Sequence, residues 1–262
     1  MSETGRDHFQ VNPRYQPIMR EIGLDAKGVF AHPDIKVWRS IPERENCTLD
    51  AKLDGREIRL HIKRYPAGRG SKDAARREVS GIGLLGANGI ATVPLVGWGN
   101  LADGRSFVIT EDLKGFQAAD KAIASGLPFD RLIESTADLV AKLHGSGLHH
   151  RDLYLCHFFL KHAGDDLELR LIDAARVRRL PWLFRQRWIV KDLAQFWYSA
   201  RQLGIVEDQL IRWLGRYTDK AGKIAPPLGA IEAKVSWIAR HDRKLNRAQP
   251  NRNISIPAPP GV

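Results

Sequence analysis

Hydrophobic and polar residues alternate over several short segments in the first 110 residues of the chain, and this alternation predicts β-strands. The Asp54-Gly55 pair favours a tight hairpin turn, so the strands on either side of it are expected to be antiparallel neighbours. The pattern therefore indicates a small antiparallel sheet. Its predicted strands span residues 35–38, 48–53, 58–65, 95–98 and 106–110.

Apolar residues return every three or four positions in later segments, which predicts amphipathic helices. The first is expected over residues 72–87, and a second begins at Asp130 and is ended by Gly145 and Gly147. A strand over residues 167–171 comes next. A strand-rich part followed by a mainly helical part predicts an α+β fold. Further helices are predicted over residues 188–203, 207–217 and 230–245.

The same patterns divide the chain into four parts. Residues 1–24 contain two prolines and little periodicity, so we expect a flexible N-terminal arm there. Residues 25–113 are expected to form the small, sheet-containing lobe, and residues 114–248 the larger helical lobe. Residues 249–262 are rich in proline and poor in apolar pattern, which predicts a flexible tail.

With 262 residues, of which 43% are hydrophobic and 27% charged, the chain can bury a large core. Residues 1–14 are polar and lack the apolar core of a signal peptide, and the chain has no run of about 18 apolar residues, so neither secretion nor a membrane span is expected. Cys47 and Cys156 are too few for a disulfide scaffold and suit a reducing cytoplasm. The net charge of +11 favours an anionic partner, which leaves nucleic acid, an anionic membrane face and a phosphorylated substrate open. The same charge also promotes solubility.

The candidate chemistry follows the second predicted helix. His150-Arg151-Asp152 has the sequence of a kinase catalytic loop, in which the Asp accepts the proton of the attacking hydroxyl. Kinases usually hold magnesium with an Asn five residues later, and this chain has His157 there. A second acid, Asp173, ends an alternating apolar strand 21 residues after Asp152, as the metal-binding Asp of a kinase does. Two acids in this order predict phosphoryl transfer.

Residues of the small lobe fit the nucleotide side of the same reaction. A kinase grips the α- and β-phosphates of ATP with a lysine from its third strand, and a glutamate of the following helix holds that lysine. Lys63 and Glu78 occupy those positions in the right order, although each by itself would equally fit a surface residue. Glu111 and Leu113 lie where a kinase presents backbone groups to adenine.

The stretch from His150 to Leu160 resembles the H-R-D-x-Y-x-C-H-F motif of the lipopolysaccharide core heptose kinase family, also called the lipopolysaccharide kinase or WaaP-like family. The similarity covers residues 28–216. It implies a protein-kinase-like bilobal fold with ATP and Mg²⁺ as cosubstrates. It also implies phosphorylation of a sugar hydroxyl, on a heptose of the lipopolysaccharide inner core, by a cytoplasmic protein at the inner membrane. Other matching segments are residues 61–65, 107–111, 171–173 and 191–194.

The resemblance also implies roles for single residues. Asp173 would be the principal magnesium ligand, and His157 would be a second metal candidate or a packed histidine. Asp192 would support the backbone of the catalytic loop, whereas Tyr154 and Cys156 would be core positions that shape it. The catalytic residues would be Asp152, Lys63 and Arg151, and the nucleotide-binding residues Lys63, Glu78, Glu111 and Leu113.

The chain departs from the kinase and family patterns at two places. Residues 41–47 contain no glycine, so the phosphates of ATP would be covered by another backbone geometry or by Arg39 and Arg44. After Asp173 the chain reads Ala174-Ala175-Arg176, where the family tends to have Leu-His-Arg. The second departure concerns the acceptor more than the nucleotide.

Six cations follow Asp173 before the next acid of the sequence. Arginine recognises phosphate and carboxylate through paired donors. We expect the first three to bind an anionic glycolipid or sugar acceptor, together with the membrane that carries it, in preference to nucleic acid. A solvated basic face is the alternative. The six are Arg176, Arg178, Arg179, Arg185, Arg187 and Lys191.

Two other classes of function stay open. A nucleotide-binding pseudokinase or scaffold could use its basic surface for RNA or lipid, but it would have no chemical need for Asp152. A small atypical protein kinase would need a segment that docks a peptide, and the chain reaches Asp192 within about twenty residues of Asp173, where kinases place that segment. The sequence leaves the oligomeric state open.

Overall fold

The computed structural model of the protein describes residues 6–53, 55–68, 71–164 and 166–248. These form two compact units, the first containing the residues up to Ser80 and Val93–Leu113, the second Gly81–Thr92 and the residues from Lys114. Gly81–Thr92 therefore belong to the second unit, although the sequence placed them in the small lobe. The predicted tail, and Asp54 of the predicted hairpin turn, lie outside the described residues.

Within the described residues, the first unit is built on six antiparallel strands. They are β1 (His8–Val11), β2 (Lys36–Ile41), β3 (Arg44–Leu53), β4 (Arg56–Tyr65), β5 (Leu95–Asn100) and β6 (Ser106–Glu111). Their order is β1-β5-β6-β4-β3-β2, which places β4 between two partners. Alternate β4 residues therefore face the core, and Leu60 and Ile62 are fully buried there.

The prediction of a flexible arm over residues 1–24 is wrong for the part that is described. Strand β1 pairs with β5, and a 3₁₀ turn at Pro13–Tyr15 leads into helix α1 (Gln16–Glu21), which is followed by α2 (Gly28–Ala31). Tyr15, Ile18 and Met19 join the hydrophobic core of the sheet. Elements this short carry too little periodicity to be recognised in sequence, because tertiary pairing and not local pattern stabilises them.

Helix α3 (Ser71–Ala87) follows the sheet strand β4, as predicted. In the first unit, Ala75 and Val79 of this helix pack with Tyr65 and Val108 in a second apolar cluster. Glu78, on the same helix, is 2% exposed. The packing therefore turns a carboxylate of α3 toward the sheet and away from water.

The second unit is mainly helical and contains short strands. Its strands are β7 (Gln117–Ala118), β8 (Leu148–His149), β9 (Phe158–Ala163), β10 (Asp166–Leu171) and β11 (Arg178–Arg179). Its further helices are α4 (Ala119–Ala124), α5 (Asp130–Gly145), α6 (Arg185–Gln202), α7 (Glu207–Ala221) and α8 (Leu228–Ala248). Strand β9 pairs with both β7 and β10, and β8 pairs with β11, all antiparallel. Together with the sheet of the first unit, these elements confirm the predicted α+β class.

The core of the second unit contains a stack of aromatic rings between α6 and α7. Phe196 and Trp213 stack with their centroids 4.3 Å apart, and Trp213 lies parallel to Tyr217 at 5.9 Å. Trp213 also donates a hydrogen bond from Nε1 to Oγ1 of Thr136 in α5 at 2.9 Å. This core fixes α5, α6 and α7 against one another, and the loop after α5 is built upon them. Among the described helices, none combines the length and the apolar character that crossing a bilayer requires.

Candidate active site

Lys63 and Glu78 are brought together in the first unit. The Nζ of Lys63 on β4 lies 2.5 Å from Oε1 of Glu78 on α3, and the hydroxyl of Tyr65 donates to Oε2 of the same carboxylate at 2.9 Å. Both carboxylate oxygens are therefore occupied, and the lysine is held in one place. Tyr65 was not predicted, but it lies two residues after Lys63 and so on the same side of the strand. The role of the pair toward ATP stays a prediction.

The hairpin between β2 and β3 stands where a kinase has its glycine-rich loop. The two strands are joined by a turn at Pro42 and Glu43, and Ile41 pairs with Arg44. Among the described residues, the Nε atoms of Arg39 and Arg44 are buried and have no hydrogen-bond partner. Buried donors without partners fit a site that takes an anion. This observation agrees with the expectation that arginines cover the phosphates, which stays a prediction.

The segment expected to face adenine is tied to the N-terminal residues. The Tyr15 hydroxyl donates to the Glu111 carboxylate, and burial together with this carboxylate raises the pKa of Tyr15 to about 12. The backbone amide of Glu111 donates to the carbonyl of Pro94 at 3.0 Å. The Glu111 side chain is therefore a structural anchor, and the contribution of Glu111 and Leu113 to nucleotide binding stays a prediction.

In the second unit, Asp192 supports the catalytic loop as predicted. Its carboxylate, on α6, accepts the backbone N–H of His150 at 2.6 Å and of Arg151 at 2.7 Å. Burial of Asp192 favours its neutral form, but the hydrogen bond from His144 and the His150 amide outweigh burial and hold the pKa of Asp192 below its usual value. A buried, ionised carboxylate thus fixes the loop backbone that delivers Asp152.

His144 and Tyr217 extend this support into the core, and the sequence did not reveal either of them. The Tyr217 hydroxyl lies 2.8 Å from Nδ1 of His144, whose Nε2 lies 3.4 Å from Oδ2 of Asp192. The geometry fits a tyrosine that donates to the imidazole, which in turn donates to the carboxylate. All three side chains are fully buried. Because their sequence separations are large, no local motif marks this chain of hydrogen bonds.

Two non-glycine residues of the described chain have positive φ angles, and one lies in each of the two segments that carry Asp152 and Asp173. They are Arg151, with φ of 73°, and Asp173, with φ of 59°. Such backbone costs on the order of 1–3 kcal/mol per residue and persists only where its surroundings hold it. The loop is held by Asp192, by Lys191, whose Nζ donates to the Arg151 carbonyl at 2.7 Å, and by His150, whose Nε2 lies 3.0 Å from the carbonyl of Ile172. That last contact links the two motifs directly.

Arg151 was predicted to be catalytic, and its side chain packs against helix α6. Its guanidinium lies over the ring of Trp188 at 4.5 Å, and its Nε is buried without a partner among the described residues. Burial, followed by the charge of Arg176, lowers the pKa of Arg151. The side chain therefore helps to hold the loop against α6, and a catalytic role for Arg151 stays a prediction.

Asp152 is paired with one of the arginines expected to bind the acceptor. Nη1 of Arg176 lies 2.8 Å from Oδ1 and 3.1 Å from Oδ2 of Asp152. The arginine side chain is 49% exposed and the aspartate side chain 20% exposed. The candidate base therefore carries a cationic partner that water can reach.

Asp173 and His157 form the candidate metal site. Nδ1 of His157 donates to the Asp152 carbonyl at 2.6 Å, and its Nε2 lies 3.6 Å from Oδ2 of Asp173. Burial opposes protonation of His157, but Cys156, Asp173 and the Asp152 carbonyl outweigh burial and raise the pKa of His157 to about 9. His157 therefore contacts the segments of both acids, and its role as a second metal ligand stays a prediction.

Asp173 supplies the kind of ligand that Mg²⁺ prefers, an ionisable oxygen donor. Within residues 6–53, 55–68, 71–164 and 166–248, no group of three or more His, Cys, Asp or Glu side chains could hold a metal ion without help. The residues therefore fit a cation that shares its ligands with a bound phosphate, with Asp173 as the protein ligand. Magnesium itself stays a prediction.

The side chains of Gln195 and Ser199 in α6 hold the loop between these acids. Leu153 and Leu155 are buried, and their backbone amides donate to Gln195 at 3.2 Å and to Ser199 at 3.0 Å. Cys156, which was expected to be a core position, is exposed, because Leu153 and Leu155 take the buried side of the chain and the alternation turns Cys156 to the other side. The buried leucines and the exposed thiol thus point to different sides of the loop.

Glycine is required where α3 meets the segment after Asp173. A Cβ atom on Gly81 would lie 1.9 Å from the carbonyl oxygen of Ala174, which is far inside contact distance. Ala174 is the first residue of the 3₁₀ turn that carries Arg176. The end of α3 in the second unit therefore packs directly on the backbone that follows the candidate metal ligand.

The six cations between Asp173 and Asp192 divide into two groups. Four use their charged ends on the protein itself, although Arg176 among them is also exposed, and the other two are exposed side chains. Nη1 of Arg178, for example, donates to the carbonyl of Val177 at 2.6 Å, so this residue helps to hold its own turn. In the first group, Arg176 donates to the Asp152 carboxylate, Arg178 to the Val177 carbonyl, Arg185 to the His144 carbonyl and Lys191 to the Arg151 carbonyl. The second group is Arg179 and Arg187.

Comparison with known proteins agrees with this arrangement. The lipopolysaccharide kinase (Kdo/WaaP) family matches residues 58–217, more than half of the chain. The lipopolysaccharide core heptose(I) kinase WaaP of Pseudomonas aeruginosa is 31% identical over 241 residues, which cover 80% of this chain and 86% of that protein. The protein of the same name from Escherichia coli K12 is 31% identical over 161 residues, 55% of this chain and 59% of that protein. The predicted resemblance and kinase-like fold are confirmed, and the chain belongs to the lipopolysaccharide kinase (Kdo/WaaP) family.

Proposed function

We propose that this chain transfers the γ-phosphoryl group of ATP to a hydroxyl of a heptose in the inner core of lipopolysaccharide. The observation that carries the proposal is the geometry of the catalytic loop. Buried Asp192 fixes the loop backbone, and Asp152 on this loop is partly exposed and paired with Arg176. The relatives named heptose(I) kinases support the choice of acceptor. We place the reaction in the cytoplasm, at the inner membrane.

Each candidate residue has one task in this proposal. Asp152 orients the acceptor hydroxyl and takes its proton. Lys63, held by Glu78, binds the α- and β-phosphates, and Arg39 and Arg44 cover them. When magnesium is bound, it neutralises charge on the phosphates, and Asp173 is the residue that holds it.

In this proposal, Arg176 controls the access of the acceptor hydroxyl to Asp152. In the free protein its guanidinium occupies Asp152, so an acceptor hydroxyl reaches the carboxylate only when Arg176 moves aside or shares it. A phosphate or carboxylate on the acceptor is a stronger partner for arginine than bulk water. An anionic acceptor therefore attracts Arg176 and exposes the base in the same event. The segment after Asp173 supports this role, because a helix begins at Arg185 and leaves no long peptide-docking segment.

The test is phosphate transfer from radiolabelled ATP to a panel of acceptors. The panel contains dephosphorylated core oligosaccharide, an aminoglycoside, RNA and a generic protein, and Asp152→Asn serves as the inactive control. We expect label on the core oligosaccharide alone, and none with the control. Label on RNA or protein instead, or equal transfer by Asp152→Asn, would remove the proposed function.

The metal assignment has its own readout. Parent and Asp173→Ala proteins are heated with a non-hydrolysable ATP analogue, with and without Mg²⁺. We expect magnesium to raise the Tm of the parent in the presence of the nucleotide, because a ligand that binds only the folded chain stabilises it. The variant should lose this increase. An equal increase in both proteins would assign the metal to other residues.

A further inference from the structure

Three large apolar side chains stand in water directly before helix α6. Trp182, Leu183 and Phe184 form a 3₁₀ turn after Pro181 and are 89%, 72% and 60% exposed. Contiguous apolar exposure of this kind marks interaction sites in folded proteins. We call these three residues the apolar turn. They take no part in the kinase chemistry proposed above.

A second exposed tryptophan, Trp237, belongs to helix α8. Gln186, two residues after the apolar turn, donates to the carbonyl of Ile224 at 3.1 Å, which ties the start of α6 to the chain leading into α8. Helix α8 packs against α6, the helix that the apolar turn precedes. Nζ of Lys234 in α8 lies 3.5 Å from the ring centre of Trp237, which is 49% exposed. Trp237 and Lys234 thus add an exposed ring and a positive charge to this pair of helices.

The surface that carries these residues is basic as well as apolar. The chain has no acid between Asp173 and Asp192, and Arg179 and Arg187 are exposed on either side of the apolar turn. Further along α8, four basic side chains line a surface cavity of about 540 Å³. They are Arg240, Arg243, Lys244 and Arg247.

The acids of α8 do not offset this charge on the outer side of the helix. Glu232 accepts from Arg201 at 2.5 Å, and Asp242 accepts from the Tyr198 hydroxyl at 2.6 Å. Both partners lie on α6, so the carboxylates face the packed side of α8. We call the apolar turn together with Arg179, Arg187, Lys234 and Trp237 the docking face.

We propose that the docking face binds an anionic lipid bilayer, with the apolar turn inserted at the level of the headgroups and its basic neighbours on the lipid phosphates. Tryptophan favours the boundary between headgroups and acyl chains. Clusters of Lys and Arg are attracted to anionic lipid surfaces, and apolar side chains among them enter a bilayer by about 5–10 Å. Exposed tryptophan and phenylalanine flanked by arginine provide both contributions in one segment.

A second copy of the chain is a less suitable occupant. In a symmetric dimer each residue of the face meets the same surface of the partner, so arginines would be brought against arginines. RNA would use the arginines and the aromatic rings, but Leu183 has no ring on which a base can stack. A bilayer is the partner that satisfies the apolar and basic residues together.

Binding to a bilayer deepens the proposed function, because a lipid-linked acceptor lies in a membrane. The biological purpose of bilayer binding rests on the proposed function, whereas the binding itself does not. Binding to vesicles needs neither ATP nor an acceptor. A chain that bound vesicles but phosphorylated no sugar would keep this inference and lose the proposed function. A chain that phosphorylated soluble core oligosaccharide without binding vesicles would do the reverse.

The first experiment is sedimentation of the full chain with vesicles of phosphatidylcholine and phosphatidylglycerol at 3:1, and with vesicles of phosphatidylcholine alone. We expect binding to the anionic vesicles that weakens as salt is raised. Trp182→Ser/Phe184→Ser should reduce the partition coefficient on the order of tenfold or more, because the apolar area is lost. The matched control is Val206→Ser/Ile211→Ser, which removes two exposed apolar residues of α7 or its start and should bind as the parent does.

The second experiment separates the charge from the apolar turn. Arg187→Gln/Lys234→Gln should weaken binding to anionic vesicles about fivefold for each charge removed. The control Lys121→Gln/Lys220→Gln removes two exposed cations from α4 and α7 and should leave binding unchanged. Thermal unfolding of every variant checks that the fold is kept.

Fluorescence quenching gives a readout that does not depend on loss of binding. Lipids brominated in the upper part of the acyl chain should quench tryptophan of the bound parent. Trp182→Phe keeps an apolar ring, so it should still sediment with the vesicles but show less quenching. The proposal is overturned if the parent ignores anionic vesicles, if the α7 control loses as much binding as Trp182→Ser/Phe184→Ser, or if the parent instead forms a dimer that this double variant dissociates.

Discussion

Two ion pairs of this protein differ in almost every physical respect. Lys63 and Glu78, in the first unit, are 24% and 3% exposed at their side chains, and a third group, the Tyr65 hydroxyl, holds the carboxylate. Arg176 and Asp152, in the second unit, are 49% and 20% exposed, and one nitrogen of the arginine spans both carboxylate oxygens. The first pair is surrounded by protein, and the second borders water.

The difference corresponds to what the proposed function requires of each pair during a turnover. A lysine that grips phosphates should keep one position from one reaction to the next, so a buried and fully bonded carboxylate suits it. A base must exchange its partner for each new acceptor hydroxyl, so a pair that is weak in water suits that role. We therefore expect the first pair to contribute to folding stability and the second to affect mainly the acceptor.

The largest expected effect is on catalysis and comes from the exposed pair. Asp152→Asn keeps the shape of the side chain but removes the proton acceptor, so transfer should fall by about 100-fold or more. Stability should change little, because an exposed pair contributes about 0–1 kcal/mol. Turnover and denaturant unfolding of the same preparation measure the two quantities, and nucleotide binding should stay at the parental level. A variant that transferred phosphate at the parental rate would exclude Asp152 as the base.

The second prediction breaks the buried pair. Glu78→Gln removes the negative charge that pairs with Lys63, and removing one member of a buried pair costs about 3–5 kcal/mol. Turnover should fall as well, because the lysine is no longer fixed. Urea unfolding gives the stability change. The matched control is Tyr65→Phe, which removes one hydrogen bond from the same carboxylate and should cost only about 1 kcal/mol. Equal losses in the two variants would contradict the assignment of the pair as the dominant contact.

The third prediction concerns the pH dependence of folding stability that buried His149 causes. His149 is 2% exposed, its ring centroid lies 4.8 Å from that of Trp188 in a tilted contact, and burial lowers its pKa to about 4. The unfolded chain binds a proton near pH 6.5 and the folded chain does not, so stability is fully present above that pH. It should be lost at roughly 1 kcal/mol per pH unit as the pH falls from 6.5 to 4.

Denaturant midpoints between pH 7 and pH 4.5 measure this slope. His149→Gln should flatten it, and His162→Gln, which alters an exposed histidine of β9, should leave it as in the parent. An unchanged slope in His149→Gln would mean that other groups titrate over this range.

The smallest effect is expected from the arginine of the exposed pair. Arg176→Ala should raise the acceptor KM several-fold, leave the ATP KM unchanged and alter stability by less than about 1 kcal/mol. Added salt should raise the acceptor KM of the parent more than that of the variant, since screening weakens the same attraction. The comparison variant is Arg212→Ala, which removes another exposed arginine paired with an aspartate and should keep both KM values. A higher ATP KM in Arg176→Ala would move this arginine to the nucleotide side.

The larger elements could be predicted from the sequence because each of them carries its own periodicity. Helix α3 begins and ends within one residue of its predicted bounds, and α5 begins at Asp130. Helix α6 begins three residues earlier than predicted, at Arg185, because its exposed first turn has no apolar pattern. Strand β9 was not predicted at all, since it reads as part of the loop motif and becomes a strand by pairing with β10.

The candidate site was partly predictable for a different reason. Lys63, Glu78, Asp152, Asp173 and Asp192 belong to recognisable motifs, and the structure brings Lys63 to Glu78 and Asp192 to the loop backbone. What sequence could not supply is the set of contacts between distant positions. The pairing of Arg176 with Asp152 and the line from Tyr217 through His144 are settled by packing, which no spacing rule describes.

The outward side of the catalytic loop also determines how the protein can be labelled. Cys47 is buried, and burial raises the pKa of its thiol to about 11, so it should resist thiol-reactive dyes. Cys156 is exposed and precedes His157, the residue that faces Asp173. The natural sequence therefore offers one accessible attachment point for a maleimide fluorophore, next to the chemistry and without an engineered cysteine. Emission from that dye would follow nucleotide and acceptor binding in real time.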